Sequence, residues 1–255
     1  MLMNYNNRLN ELFARWMQSL TEEQQALFCK DGLIKNTENV EEKWDKAERR
    51  VLFLLKDKNT PDGDDLRNWM NSEQCRNLKG GDIGRTGFLP NIAKMLYGLL
   101  KNEKEVRIGY QGLENLEEVK TVWNTEPFAM VESKKLAGYS SVSSSDVTAA
   151  MERDEAFLKE EIDILRPNII VCCDAEDSQF NFITARYFKD KKVEKIEYDY
   201  PDVKKMKKCC LWYYPEDGVA VIKSYHPTRL GKDDWMIYER VISPFHQLLK
   251  QIGNM

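Results

Sequence analysis

Apolar positions along this chain follow two spacings. Near the start, Leu9, Leu12, Phe13, Trp16 and Leu20 recur at three- and four-residue steps, the period of a helix with one buried face. Thr21 followed by Gln24 has the pattern of a capping box, predicting a second helix that ends near Cys29, with Asp31-Gly32 as its stop. The charged stretch Glu41 to Arg50 then runs into Val51-Leu52-Phe53-Leu54-Leu55, a block too short for a helix and bounded by the turn-rich segment Asp57 to Asp65. It predicts the first core strand. Three more blocks share this character: Phe128 to Val131 after Pro127, Asn168 to Cys173 after Pro167, and Val219 to Ile222 after Asp217-Gly218.

Helical patterns fill the gaps at Leu89 to Leu100, Ser145 to Leu165, Ser178 to Phe188 and Asp234 to Ile252, lengths that crossovers between parallel strands require. Ser145, with Asp146 beside it, suits the N-cap of the second. Apolar strands without strict alternation belong to a parallel sheet covered on both faces. The expected fold class is therefore α/β: a three-layer α/β/α arrangement with a central, mainly parallel four-stranded sheet. The segment Cys209 to Tyr214 is placed to pair with the last strand as a hairpin. Residues 1–48 read as an N-terminal helical extension and 49–255 as the α/β domain.

With 255 residues, 42% of them hydrophobic, the chain is long enough for a sizeable core. Its apolar runs are far shorter than the ~18 residues of a membrane span, and the N-terminus lacks an apolar signal core, so a soluble, cytoplasmic protein is expected. Lys and Arg number 38 against 42 Asp and Glu, a net charge of −4 that leaves any nucleic-acid contact to a local patch. The lysine-rich runs Lys189 to Lys195 and Lys204 to Lys208 are interspersed with acids and read as solvated surface. Six cysteines include the adjacent pairs Cys172-Cys173 and Cys209-Cys210 but no Cys-x-x-Cys, which predicts reduced thiols and no metal site. A calcium loop starting at Asp57 is excluded, because its sixth position is not glycine and its twelfth is Asn68.

In open α/β sheets ligands bind at the carboxyl ends of the strands. Four polar exits lie there: Lys56-Asp57-Lys58-Asn59, Glu132-Ser133-Lys134-Lys135, Asp174-Ala175-Glu176-Asp177, and Ser224 to Arg229. Asp57 follows a buried strand directly, where a carboxylate can orient or deprotonate a water. His226 is one of two histidines and stands before Pro227, whose restricted backbone suits an aimed imidazole. The other, His246, lies within the apolar pattern of the last helix and reads as structural.

These exits resemble motifs of the uracil-DNA glycosylase superfamily. Ile222-Lys223-Ser224-Tyr225-His226-Pro227-Thr228 is similar to its late His-Pro-Ser motif, and Leu54-Leu55-Lys56-Asp57-Lys58 to its first motif, where an acidic or amide residue positions water. Leu89-Pro90-Asn91-Ile92-Ala93-Lys94 sits where those enzymes have a helix after a base-stacking aromatic, here Phe88. The likeness spans roughly residues 50 to 250. It implies a fold of that type and hydrolysis of the N-glycosidic bond of a damaged or deaminated base in single- or double-stranded DNA. Some members of the superfamily carry an iron–sulfur cluster on four cysteines, but the six cysteines here lack that pattern, so no cluster, no other cofactor and no membrane partner is expected. Asp57 and His226 would be catalytic, and Phe88, Glu132 and Asn59 would meet the base. Ser133, Lys134, Thr228 and Arg229 would hold DNA phosphates, and Arg229 or Leu230 would fill the gap left in a duplex. Glu132 stands where the superfamily often has a base-reading asparagine, and a carboxyl group donates a hydrogen bond only when protonated. The alternatives are a non-catalytic nucleotide- or nucleic-acid-binding module of the same fold, and an unrelated doubly wound protein whose first 48 residues dock a partner.

Overall fold

The computed structural model describes residues 4–59, 62–78, 87–113, 116–138, 142–174, 176–200, 206, 208–228 and 233–253, without the side chains of 59, 70 and 112. The chain begins with helices α1 (Tyr5–Gln18) and α2 (Glu22–Ala26), strand β1 (Gly32–Leu33), helix α3 (Val40–Lys46) and strand β2 (Val51–Asn59). Helices α4 (Glu73–Arg76), α5 (Phe88–Lys101) and α6 (Leu116–Thr125) lead to β3 (Ala129–Gly138). Helices α7 (Ser144–Arg153) and α8 (Glu155–Leu165) precede β4 (Ile169–Cys172), and α9 (Ser178–Phe182) continues as a π-turn. Strands β5 (Glu194–Tyr198), β6 (Cys209–Tyr214) and β7 (Val219–Lys223) and helix α10 (Asp234–Ile252) complete the fold.

The sheet has seven strands in the order β1-β3-β2-β4-β7-β6-β5. Its centre is the expected parallel set: β2 pairs in parallel with β3 and β4, and β4 with β7. The count of four is corrected by antiparallel additions at both edges, β1 against β3 and β5 against the hairpin strand β6. Those edges escape periodicity for physical reasons. β1 is two residues long, and β5 buries Ile196 between charged, exposed neighbours.

Each central strand sends alternate residues to opposite faces. Phe53, Leu55, Met130, Val171 and Ile222 pack with residues of α5, α6 and α10, while Leu52, Leu54, Val131, Ile170 and Val221 pack with residues of α1, α7, α8 and α9. Both faces are apolar, hence the unbroken hydrophobic runs. The N-terminal helix shares this core: Trp16 stacks on Phe157 of α8 at 5.0 Å. Cys172 and Cys173 fall on opposite faces, and all six cysteines are free thiols.

Local corrections have local causes. The capping box at Thr21 forms, but α2 ends at Ala26, and Asp31-Gly32 does not stop a helix: Gly32 opens β1 and Asp31 is buried. Ser143 caps α7 rather than Ser145, its hydroxyl accepting from the Asp146 amide, and the predicted 145–165 helix breaks at Asp154. No helix among the described residues is long and apolar enough to cross a membrane.

Candidate functional site

The chain leaves β2 for β3 on one side and then crosses to β4 on the other, so the carboxyl ends of β2 and β4 flank the point where the winding reverses. In such sheets that point opens a crevice. Asp57 stands at the end of β2, on the same face as Phe53 and Leu55, and His226 follows β7, one strand beyond β4.

The polar residues after the first two apolar blocks are still strand, because β2 runs to Asn59 and β3 to Gly138. Asp57 pairs with Lys134 in register, and the next paired positions are Asn59 and Gly138, so β3 carries the extra residues of a bulge. Lys134 Nζ donates to Asp57 Oδ2 at 3.3 Å and to the Leu136 carbonyl at 2.6 Å. Burial pushes the Asp57 carboxyl above its ordinary range, and Lys134 pulls against that shift. Gly138 permits this packing: a Cβ there would lie 2.4 Å from Asp57 Oδ2 and 3.2 Å from Lys134 Nζ.

Glu132 is 5% exposed, and its Oε2 has no hydrogen-bond partner among the described residues. Burial first, then the negative fields of Asp31 and Asp57, hold its carboxyl well above the usual range. Its surroundings thus favour the neutral form, which has an O–H donor beside a carbonyl acceptor. Asp31 Oδ2 accepts from the Glu132 amide at 2.7 Å and also pairs with Lys135 Nζ at 2.7 Å, while Glu161 Oε2 meets the same ammonium at 2.7 Å. Lys135 is therefore a buried structural cation rather than part of a polar exit. Burial works against its charge, but Asp31 and Glu161 prevail and hold its pKa above the ordinary lysine value.

The loop after β7 fixes its histidine locally. The Thr228 amide donates to His226 Nδ1 at 3.2 Å, and the Thr228 hydroxyl lies 2.9 Å from the same nitrogen. With Nδ1 accepting from an amide, the neutral ring carries its hydrogen on Nε2. Phe88, the first residue of α5, is half-buried with its ring centroid 6.1 Å from that of His226, so the two are neighbours.

Other expected contacts fall differently. Ser133 is buried on the opposite face and accepts from Gln179 Nε2 at 2.9 Å, which leaves it no surface to offer a phosphate. Lys134 and Thr228 are engaged with Asp57 and His226. The Asn59 side chain, Arg229 and Leu230 lie outside the described residues. His246, on α10, is 7% exposed within the helical layer. Asp174 caps the turn into α9, accepting from the Asp177 amide at 2.9 Å and the Gln179 amide at 2.8 Å.

Two groups were not singled out from sequence as functional. Lys135 had a readable signal, since it shares strand parity with Val131 and so points inward, where a lysine needs partners. Its partners Asp31 and Glu161 carried none, being brought to it only by the fold. No group of three or more His, Cys, Asp or Glu among the described residues is arranged to hold a metal ion. No protein-family model matches this chain, and no curated protein matches it.

Proposed function

We propose that this protein is a uracil-DNA glycosylase-like enzyme that hydrolyses the N-glycosidic bond of a deaminated or damaged base in DNA. The observation that carries this reading is the carboxyl edge of β3-β2-β4-β7, where Asp57, the buried Glu132 and a loop histidine with an aromatic neighbour share one end of the sheet. The burial of Glu132 supports it further, because it favours the carboxylic acid, which offers the donor and acceptor pair that an asparagine amide would. A base edge with adjacent C=O and N–H groups matches that pair.

In the reaction, the bond between the sugar's anomeric carbon and the base nitrogen breaks and its electron pair leaves with the base. His226 donates from Nε2 to the base as negative charge develops, an interaction that is stronger in the transition state than before it. Asp57 directs water to the anomeric carbon and takes its proton, and the released base is then protonated. Lys134 favours the ionised form of Asp57 that this role needs.

A second reading, a nucleic-acid-binding module without cleavage, is favoured by the 3.3 Å Lys134–Asp57 contact, which engages one oxygen of the carboxylate. Single-turnover assays separate the two, using oligonucleotides with uracil, hypoxanthine, xanthine or an oxidised base, and Asp57→Asn and His226→Ala variants. Abasic sites whose formation both substitutions reduce support the glycosylase. Salt-sensitive binding without cleavage supports the module, and the absence of both cleavage and binding refutes both readings.

A further inference from the structure

Asn91 lies in the first turn of α5 and is 3% exposed. Its Nδ2 donates to the carbonyl of Pro227 at 2.8 Å and to Oδ1 of Asp234, the first residue of α10, at 3.0 Å. Its Oδ1 is buried without a hydrogen-bond partner among the described residues. Both amide hydrogens are thus used on groups far away in sequence, at the expense of the oxygen. Lys94, one turn on, places its ammonium 3.8 Å from the other oxygen of Asp234. Gly87 sits close behind, where a Cβ would stand 3.3 Å from Asn91 Nδ2. One amide therefore joins the start of α5, the His226-Pro227-Thr228 loop and the start of α10.

We infer that Asn91 is a positioning residue for His226, holding the Pro227 carbonyl so that the imidazole stays beside Phe88 with Nδ1 against Thr228. The catalytic consequence rests on the glycosylase reading, whereas the effect on the ring does not. Pro227 is the residue between His226 and Thr228, so a shift of its carbonyl moves both partners of the 3.2 Å contact that sets the tautomer. An unfavourable burial of the Asn91 oxygen is consistent with an amide kept for its donors.

The test uses the imidazole nitrogens. The chain has two histidines, so a nitrogen-15 spectrum contains two ring systems, and a His226→Gln variant assigns them. In the wild type, His226 is expected to show an unprotonated Nδ1 and a protonated Nε2. Asn91→Asp keeps the shape, removes the donors and sets a carboxylate against Asp234. It is expected to mix the two tautomers and to lower kcat for base release about 10- to 100-fold with KM unchanged, the scale for a catalytic group displaced by about 1 Å. Adding Asp234→Asn relieves the repulsion but leaves the Pro227 carbonyl without its donor. The double variant should regain thermal stability without regaining the tautomer or kcat.

An unchanged His226 spectrum in Asn91→Asp, or its return together with stability in the double variant, overturns the inference. Asn91→Ala gives the same reading without added charge should the aspartate variant fail to fold. A wild type that releases no base defeats the glycosylase reading alone, because the nitrogen spectrum still decides the role of Asn91.

Discussion

Replacing Lys135 by methionine removes the one cation from a buried site that also holds Asp31 and Glu161, at 2.6 and 2.7 Å from its ammonium. Lys135 and both carboxyl side chains are at most 1% exposed, so water cannot take its place. The Glu161 carboxyl is pushed well above the ordinary range by burial and by Asp31, and Lys135 pulls against that shift. Asp31 loses both contacts to the ammonium and keeps the Glu132 amide and the Glu161 carboxyl as its neighbours. Breaking such a pair costs about 3–5 kcal/mol, because the remaining charge is uncompensated. That is a large share of the roughly 5–15 kcal/mol by which domains are stable.

The sign of the pH dependence follows. Lys135 opposes the upward shift of the Glu161 carboxyl, so without it the folded state holds the Glu161 proton more firmly still, and the variant's deficit grows as pH rises above the ordinary carboxylate range. Urea unfolding followed by circular dichroism, at about pH 7 and about pH 4.5, should show a deficit that shrinks at the lower pH. Lys135→Met with Asp31→Asn should recover at least half of it. A deficit under about 1 kcal/mol at neutral pH, within the range of exposed pairs, or one equal at both values, would refute the reasoning.

Glu132→Gln should remove a pH dependence: in the wild type the raised carboxyl contributes stability that falls as pH climbs above about 4.5, by about 1.4 kcal/mol per pH unit, and unfolding across pH should show a flatter slope in the variant. The same variant should keep base release because the amide keeps a donor and an acceptor, while Glu132→Ala should lose it in the single-turnover assay. Gly138→Ala must displace Asp57 Oδ2 by about 1 Å to clear a contact of 2.4 Å, which should cut base release about 100-fold by the same assay. Lys134→Met should raise the Asp57 pKa further, moving the acidic limb of the pH–rate profile to higher pH; an unmoved limb would show that Asp57 does not set it.

Much of the architecture was readable because burial leaves a local trace. A strand covered on both faces needs an apolar residue at every step, so Val51 to Leu55 and Ile169 to Cys172 stand out without reference to anything else. Helix α6 carries the same trace in Val119, Val122 and Trp123, buried at helical steps, although the expected elements did not include it. The site was legible where chain position sufficed. Asp57 and His226 mark the points at which apolar blocks end, and Phe88 opens a helix beside His226.

The sequence by itself determined the four parallel strands, helices α5 and α10 and the hairpin of β6 with β7, because each depends on the periodicity of its own residues. Only the tertiary structure decided that the Glu132 carboxyl is buried and pushed upward, that Lys135 is buried and Ser133 covered, and that Asn91 meets the Pro227 carbonyl. Those outcomes depend on partners such as Asp31, 104 positions from Lys135, and Pro227, 136 positions from Asn91. The charge state and reach of a polar side chain depend on what surrounds it in space, and a pattern of neighbours along the chain does not contain that information.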